Sequence, residues 1–547
     1  MQKSPTSFAP VLSDKESEVN ATFVSWPRWF AKGVGGIVIL YLALLAVQIA
    51  LRAVFPWDLF TWAESPFMTN MLKMDLGQSL FGPPADGNSF FYSPGLEYLT
   101  FALLKPLGLH LDIRFCRLVN VAVGLLAGGL VGLIARRALN SIVPENRFPR
   151  LAWLGAGIAV LVVFKNFTAD GTHPDNLVML HTAGLFWLTL AALQRQSFGL
   201  ALATMVFAAL GVFAKQTLCV AFVGPALVFA RFNPWGWRKW ILLAIAGALA
   251  SAAALVVLWH PENARFWTWE VLSHQKIHLT RFYWMIMDLL HADRAFLAAL
   301  GLAAVAILWR TGTPGRQYLQ MWIAIGLCSV APGALAYAKH FGTWNNLIIF
   351  QLWLVILVWP AMGVWLNQRA PTTTGGGESR LNFLPGALLV VFVGLLLPTR
   401  FPASRAMYEC CATVQAKVSA DLDAGRRVLV AQGTMYQLRA GSREVPLDRV
   451  NSVVDIVAAG LGDRVGMIDR LRAHYYDRIY LVVEDWYGEA ILAELYKHYS
   501  VTDVVKLDEP SGHSELCRFL PLMGPCKILS PRPDVPPETG KTPAGDR

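Results

Sequence analysis

Charged residues are scarce in this chain. Asp, Glu, Lys and Arg make up 15% of the 547 residues, hydrophobic residues make up 55%, and the mean hydropathy is +0.44. Soluble globular domains carry about a quarter charged residues, so the shortage excludes that class and points to a polytopic membrane protein. Paired cysteine motifs are also missing. The seven cysteines are scattered with no C-x-x-C spacing, which removes zinc and redox motifs as organising features. The first thirty residues contain no A-x-A-like site closing a short apolar core, so the first apolar run is expected to stay as an anchor. No internal repeat of about 20 to 50 residues is evident. The net charge of +10, in a chain this apolar, reads as orientation signals and not as a nucleic-acid footprint; no nucleic-acid partner is expected.

Long apolar runs are what the sequence has instead. A spanning helix needs roughly 20 apolar residues, and about eleven candidates occur, at 33–53, 116–135, 151–164, 177–193, 198–214, 217–230, 240–259, 294–309, 318–337, 347–365 and 383–399. They define a membrane domain over 33–399 that follows a cytoplasmic segment at 1–32 and has its first outer loop at 54–115. Segment 94–110, interrupted by Pro94, Lys105 and Pro106, is read as a helix lying in the interface. With the N-terminus inside, the short inner loops hold Arg136, Arg137, Arg195, Arg231, Arg238, Lys239 and Arg310 among other cations, against Glu145 and Glu378 only. The positive-inside rule therefore favours this orientation, with an outward C-terminus. The stretch 369–381 has the composition of a flexible linker.

After Pro398 the chain changes character. VLVAQGTMYQL from Val428 and DRIYLVVEDW from Asp477 are strand-like, and 449–475 and 488–498 have helical spacing. A small outer α/β domain is expected over 400–529, followed by a Pro-rich disordered tail at 530–547. Cys517 and Cys526 are either a small disulfide loop or two free thiols.

The unusual polar residues fall on the outer side of this topology. Asp58, Glu64 and Asp75 lie in the first outer loop, with Tyr92-Ser93-Pro94 setting a turn. His173 and Asp175 belong to the second loop, Lys215 and Gln216 to the third, Arg281 to the fourth, and Lys339, His340 and Asn345 to the fifth. Ionisable groups beside a bilayer are costly and usually have partners or a task. Asp75 reads as a solvated loop residue. His173 and Asp175 could ligate a divalent metal, but two ligands do not make a site; no other cofactor is expected.

The order of WDLFTWAES, FFYSPGLEYL and RFCRLVN, then THPDN, FAKQT and KHFGTWNN, resembles the GT-C superfamily of integral-membrane glycosyltransferases. The branch it looks most like is the one related to protein O-mannosyltransferases and lipid A aminoarabinose transferases, including bacterial members. The resemblance implies inverting transfer of a sugar from a polyprenyl-phosphate donor to a glycan, lipid or protein acceptor. It further implies a site on the periplasmic or extracytoplasmic side of a bacterial inner membrane, in contact with membrane lipids. The family's base is an acidic residue of the first outer loop, and Asp58 is the matching position. A carboxylate there would take the acceptor hydroxyl's proton as attack develops. Glu64 is a supporting catalytic candidate. Lys215, Lys339, Arg281 and His340 are candidates to hold the leaving phosphate, with Tyr92, His173, Asp175, Gln216 and Asn345 as further substrate contacts. A transporter or flippase of lipid-linked sugars and a non-catalytic envelope scaffold are the alternatives; the former would place polar groups nearer the bilayer midplane. The topology predicts that a reporter fused after Arg547 is active only outside the cytoplasm; a cytoplasmic signal would overturn the span count.

Overall fold

The computed structural model describes residues 28–538, except 60, 144–150, 166–168, 233, 290–291, 340–345, 347, 370–404, 432, 448–452, 454–455, 458, 462–465, 482–487 and 507–525. The predicted span 383–399, and with it His340, Asn345 and Cys517, lies outside the described residues.

The membrane part is built from α1 Arg28–Ala53, α2 Thr61–Asp75, α3 Gly95–Leu104, α4 Ile113–Ile142, α5 Leu151–Lys165, α6 Asp175–Gln194, α7 Phe198–Ala214 and α8 Val223–Phe232. It continues with α9 Trp237–Trp259, α10 Val271–His274, α11 Leu279–Leu289, α12 Ala292–Arg310, α13 Thr313–Ser329, α14 Ala331–Ala338 and α15 Ile348–Arg369. Among the described residues, five stretches are long and apolar enough to cross a bilayer: Ile113–Ile142, Asp175–Gln194, Trp237–Trp259, Thr313–Ala338 and Ile349–Gln368. Shorter apolar helices at Leu42–Ala53, Gly155–Phe164, Phe198–Ala214, Gln216–Phe232 and Ala299–Arg310 coincide with the other predicted runs up to 365. The chain is an integral membrane protein. Within 94–110, α3 ends at Leu104 and a single 3-10 turn, Lys105–Leu107, follows.

Apolar surface gains nothing from leaving lipid, so helices in a bilayer associate through close packing of small residues. Gly128 on α4 is such a contact. A Cβ there would stand 2.8 Å from the Val160 backbone nitrogen on α5, which brings the two helices to contact distance. Ala127, Val131, Val162, Phe186 and Trp353 fill the shared core of α4, α5, α6 and α15.

The C-terminal part contains α16 Arg405–Asp423, β1 Val428–Val430, α17 Thr434–Arg439, α18 Met467–Arg472, β2 Arg478–Leu481, α19 Gly488–His498, β3 Tyr499–Val505 and β4 Cys526–Pro531. The sheet order is β1-β2-β4-β3, with β1 parallel to β2 and β4 antiparallel to both of its neighbours. The strand read from Val428 is shorter than its sequence suggested, because Gly433 turns the chain and Thr434–Arg439 coils into a helix. The tail expected to be disordered from Ser530 is instead ordered as far as Glu538. Ser530 and Pro531 finish a strand hydrogen-bonded on both edges, and the Arg532 and Glu538 amides then donate to the carbonyls of His498 (2.9 Å) and Arg472 (3.0 Å). Cys526 is a free thiol, buried in the same core as Cys410 and Cys411.

This part shares its core with the segment that follows α1. Phe55, Trp57, Leu59 and Ala63 are buried together with Met407, Val414, Val430, Tyr436 and Ile528. Trp57 stacks on Tyr436 at 6.2 Å between ring centroids, meets Tyr408 edge-on at 5.1 Å and donates from Nε1 to Gln415 at 3.0 Å. Buried Arg470 donates to the Ala85 carbonyl at 3.1 Å, pinning the far end of the loop. Trp57→Ala should cost about 3–5 kcal/mol of docking stability. Limited proteolysis in detergent should then release residues after 400; unchanged protease resistance would show that Trp57 does not hold the two parts together.

Candidate active site

The site is organised by Arg117, in the first turns of α4, which is fully buried and uses all five of its N–H donors. Nε and Nη2 reach Glu64 at 2.7 and 2.8 Å in a bidentate pair. Nη1 donates to the carbonyls of Arg52 and Phe55, and the second Nη2 proton goes to the Trp57 carbonyl at 2.6 Å. Glu64, also fully buried, accepts the Leu59 amide and, at 3.3 Å, the Thr172 amide. The peptide groups on either side of Asp58 are thus both held, Trp57 C=O by Arg117 and Leu59 N–H by Glu64.

Asp58 itself is 1% exposed. Burial, with the charge of Asp58 adding to it, pushes the Cys411 thiol and the Tyr436 phenol up, so both stay neutral beside the carboxylate. A second buried ion pair, Arg52 with Asp170 at 2.6 Å, ties the end of α1 to the loop that leads into α6. Asn120 on α4 donates to the Ala169 and Gly171 carbonyls of the same loop.

A polar cleft lies on from Thr172. His173 Nδ1 stands 2.9 Å from Asp175 Oδ2 at the start of α6, and Lys215 Nζ is 3.8 Å from Asp175 Oδ1. Lys215 caps α7 with extended backbone, donates to Asn346 Oδ1 at 2.8 Å and lies 5.5 Å from the Tyr92 ring centroid. Tyr92 meets the His173 ring edge-on at 5.4 Å. Burial lowers the Lys215 ammonium from its usual value, opposed by Asp175. Thr217, Ser329 and Asn346 line the cleft beside Asp175 and Lys215. Gln216 laces the loops behind it, donating to the carbonyls of Phe91 (2.9 Å) and Thr268 (3.3 Å) and accepting from Ser93 at 3.2 Å.

The structure brings Tyr92, His173, Asp175, Lys215 and Gln216 together and connects them to Glu64 and Asp58 through Thr172. Arg281 and Lys339 sit elsewhere. Arg281 donates to the carbonyls of Tyr337 and Lys339, and Lys339 donates to that of Leu272 at 2.6 Å, so both fasten the fourth loop to the fifth. Asp75 is not a free loop carboxylate; it ends α2 and pairs with Lys105 and with His110 at 2.8 Å, and the Lys105 hydrogen bond, with help from His110, holds its carboxyl below the usual carboxylate range. Among the described residues no group of three or more His, Cys, Asp or Glu could hold a metal.

Sequence reasoning missed Arg117, Asn346, Ser329 and Glu97. Arg117 stood inside the RFCRLVN motif, and an arginine opening an apolar span is itself a signal. Glu97, on α3, is buried beside Asn70 at 3.1 Å, and burial raises its carboxyl to about 7. Arg117→Ala leaves Glu64 buried without its counter-ion and should lower stability by about 3–5 kcal/mol. Unfolding in detergent measures this, and a loss below about 1 kcal/mol, the range of an exposed pair, would remove the pair's organising role.

No protein-family model matches the chain, and no curated protein matches it. Among solved structures the chain is similar to apo ArnT from Cupriavidus metallidurans, at 16% identity and a TM-score of 0.42, over 81% of this chain and 80% of that one. It is also similar to the Archaeoglobus fulgidus oligosaccharyltransferase. In the complex with zinc and sulfate the identity is 12%, the TM-score 0.43 and the coverage 84% of this chain and 67% of that one. For the apo form of that protein the values are 11%, 0.43, 92% and 76%. Both of these proteins are GT-C fold glycosyltransferases.

Proposed function

We propose that the protein is an inverting membrane glycosyltransferase that moves a sugar from a polyprenyl-phosphate donor to a glycan, lipid or protein acceptor. The observation that carries this reading is a chain of contacts between two buried charges: the peptides flanking Asp58 are held by Arg117 and Glu64, Glu64 accepts from Thr172, and the adjoining His173 and Asp175 lead to Lys215. The order of the motifs that resemble the GT-C superfamily supports it as well.

In the reaction the acceptor oxygen attacks the anomeric carbon as its proton passes to Asp58. The bond from that carbon to the phosphate oxygen breaks, and the electron pair leaves with the polyprenyl phosphate. Phosphate is a stable anion, so the leaving group needs a cation more than an acid, and Lys215 supplies one from a desolvated position where its charge acts strongly. Asp175 and Asn346 hold the ammonium in place, and Asp175 also orients His173. Glu64 is a positioning residue in this scheme, since Arg117 and two backbone amides occupy its oxygens. The burial of Asp58 requires that part of the loop or of the C-terminal cover open before an acceptor can reach it.

A panel of purified polyprenyl-phosphate sugars tests the reading. Asp58→Asn should lower kcat by about 10²–10⁴, and Lys215→Ala should lower turnover by about 10²-fold. A wild-type protein that turns over a donor while Asp58→Asn keeps full rate would overturn the base; failure of the whole panel would overturn the donor class.

A further inference from the structure

The end of the bundle away from the polar cleft carries a second charged cluster. α6 begins at Asp175 in the cleft and ends at Gln194, and α7 returns from Phe198 to Ala214, beside Lys215. At about 1.5 Å of rise per residue, the turn between them stands roughly 25–30 Å from Asp175 and Lys215. That is about the thickness of the hydrocarbon core, so the turn belongs to the opposite headgroup layer. Gln196 takes a left-handed backbone conformation there, φ 47°, and only Arg195, Gln196 and Ser197 separate the two helices.

Three cations gather around this turn. Arg137 of α4 donates from Nε to Gln194 Oε1 and lies over the Trp187 ring, 5.8 Å from its centroid. Arg195, exposed, stands close enough to Arg137 for the two charges to repel. Lys239, exposed in the first turn of α9, lies 5.6 Å from the Phe198 ring centroid. Phe198 meets Trp235 edge-on at 6.1 Å, and Trp235 Nε1 donates to the Gln196 carbonyl at 2.8 Å, which closes the cluster on that side. No Asp or Glu occurs between Asp175 and Glu262, and among the described residues none of the three cations makes an ion pair. Orienting a span requires only that cations lie on one side of the bilayer. Gathering them around one turn without a carboxylate leaves a repulsion that a bound anion relieves.

The surface beside the cluster narrows the chemistry of that anion. α7 and α9 pack along each other. One turn inward from Phe198 and Lys239 their exposed side chains are aliphatic, Leu202 and Val206 on α7 and Leu242 and Ile245 on α9. Residues three or four apart share a helix face, so these side chains continue the faces that carry Phe198 and Lys239. An anion attached to hydrocarbon chains meets both surfaces; a free phosphate would use only the cations. We propose that the turn between α6 and α7 is a binding site for an anionic bilayer phospholipid, its phosphate held by Arg137, Arg195 and Lys239 and its acyl chains lying along α7 and α9.

Native mass spectrometry of the full chain, titrated with phosphatidylglycerol or phosphatidylcholine, tests the site. Phosphatidylglycerol should bind more tightly. Arg195→Gln and Lys239→Gln should each weaken it about fivefold, and together about 25-fold, with phosphatidylcholine unchanged. Arg443→Gln, an exposed cation of the C-terminal part, is the control and should change neither lipid. Equal binding of the two lipids, or a double variant that keeps the wild-type affinity for phosphatidylglycerol, would overturn the site. Displacement by millimolar inorganic phosphate would assign the cluster to a free anion, and preference for polyprenyl phosphate would assign it to a carrier lipid; either result overturns the proposal. If the variants fail to fold, photoreactive phosphatidylglycerol on the wild-type chain decides. Saturable labelling near the α6–α7 turn supports the site, and labelling confined to other helices removes it. No donor or acceptor enters these measurements, so their outcome is separate from that of the transferase assay.

Discussion

A guanidinium and a carboxylate taken out of water each lose several kcal/mol of hydration, and their attraction repays this only when their remaining hydrogen-bonding capacity is met. Arg117 and Glu64 satisfy that condition. Every donor of the arginine is used, and three of the five go to main-chain carbonyls of the segment leading to Asp58. The glutamate spends its remaining capacity on the amides of Leu59 and Thr172. The pair therefore fixes backbone as well as charge. It sets the start of α4, the stretch of chain carrying Asp58, and the loop leading into α6 against one another, and the polar cleft around Lys215 is built on from that junction.

Two other contacts keep this junction dry. The Arg52–Asp170 pair closes it on the side of α1. On the opposite side the C-terminal part covers it, placing Tyr436, Cys411 and the aromatic group around Trp57 over the acidic loop. Exclusion of water strengthens every charge interaction inside. It also means that access must be created by movement, because Asp58 is not open to solvent.

Much of the membrane fold could be read from the chain because lipid imposes a single rule: each span must satisfy its own backbone and present an apolar surface. That rule left long runs in the sequence, and the helices coincide with them wherever residues up to 365 are described. The clustering of polar loops was legible for the same reason, through charge asymmetry. The individual roles were not. Lys339 and Arg281 have the residue type of phosphate ligands, and Lys339 Nζ and Arg281 Nη1 donate to main-chain carbonyls, contacts set by backbone geometry that spacing does not reveal. The C-terminal part was harder still. Its second strand pairs with the first and the fourth through partners far away in sequence, Val428 with Arg478 and Ile479 with Leu529, and β-structure assembled from such distant segments leaves little local pattern. Ser530 and Pro531 looked like the beginning of a tail because their strand neighbours could not be seen.

The shared core around Trp57 has a consequence for how the protein is made. Trp57 and its hydrogen-bond partner Gln415 are 358 residues apart, and Ser65 and Thr434 are 369 apart. At roughly 5–20 residues per second, the ribosome makes the acidic loop some 20–70 s before the segment that covers it. During that interval Phe55, Trp57 and Leu59 have no protein core to enter, and the membrane interface, where indole rings sit comfortably, is their natural resting place. The catalytic loop candidate would thus begin life as a peripheral lipid contact and become interior only when the last quarter of the chain arrives.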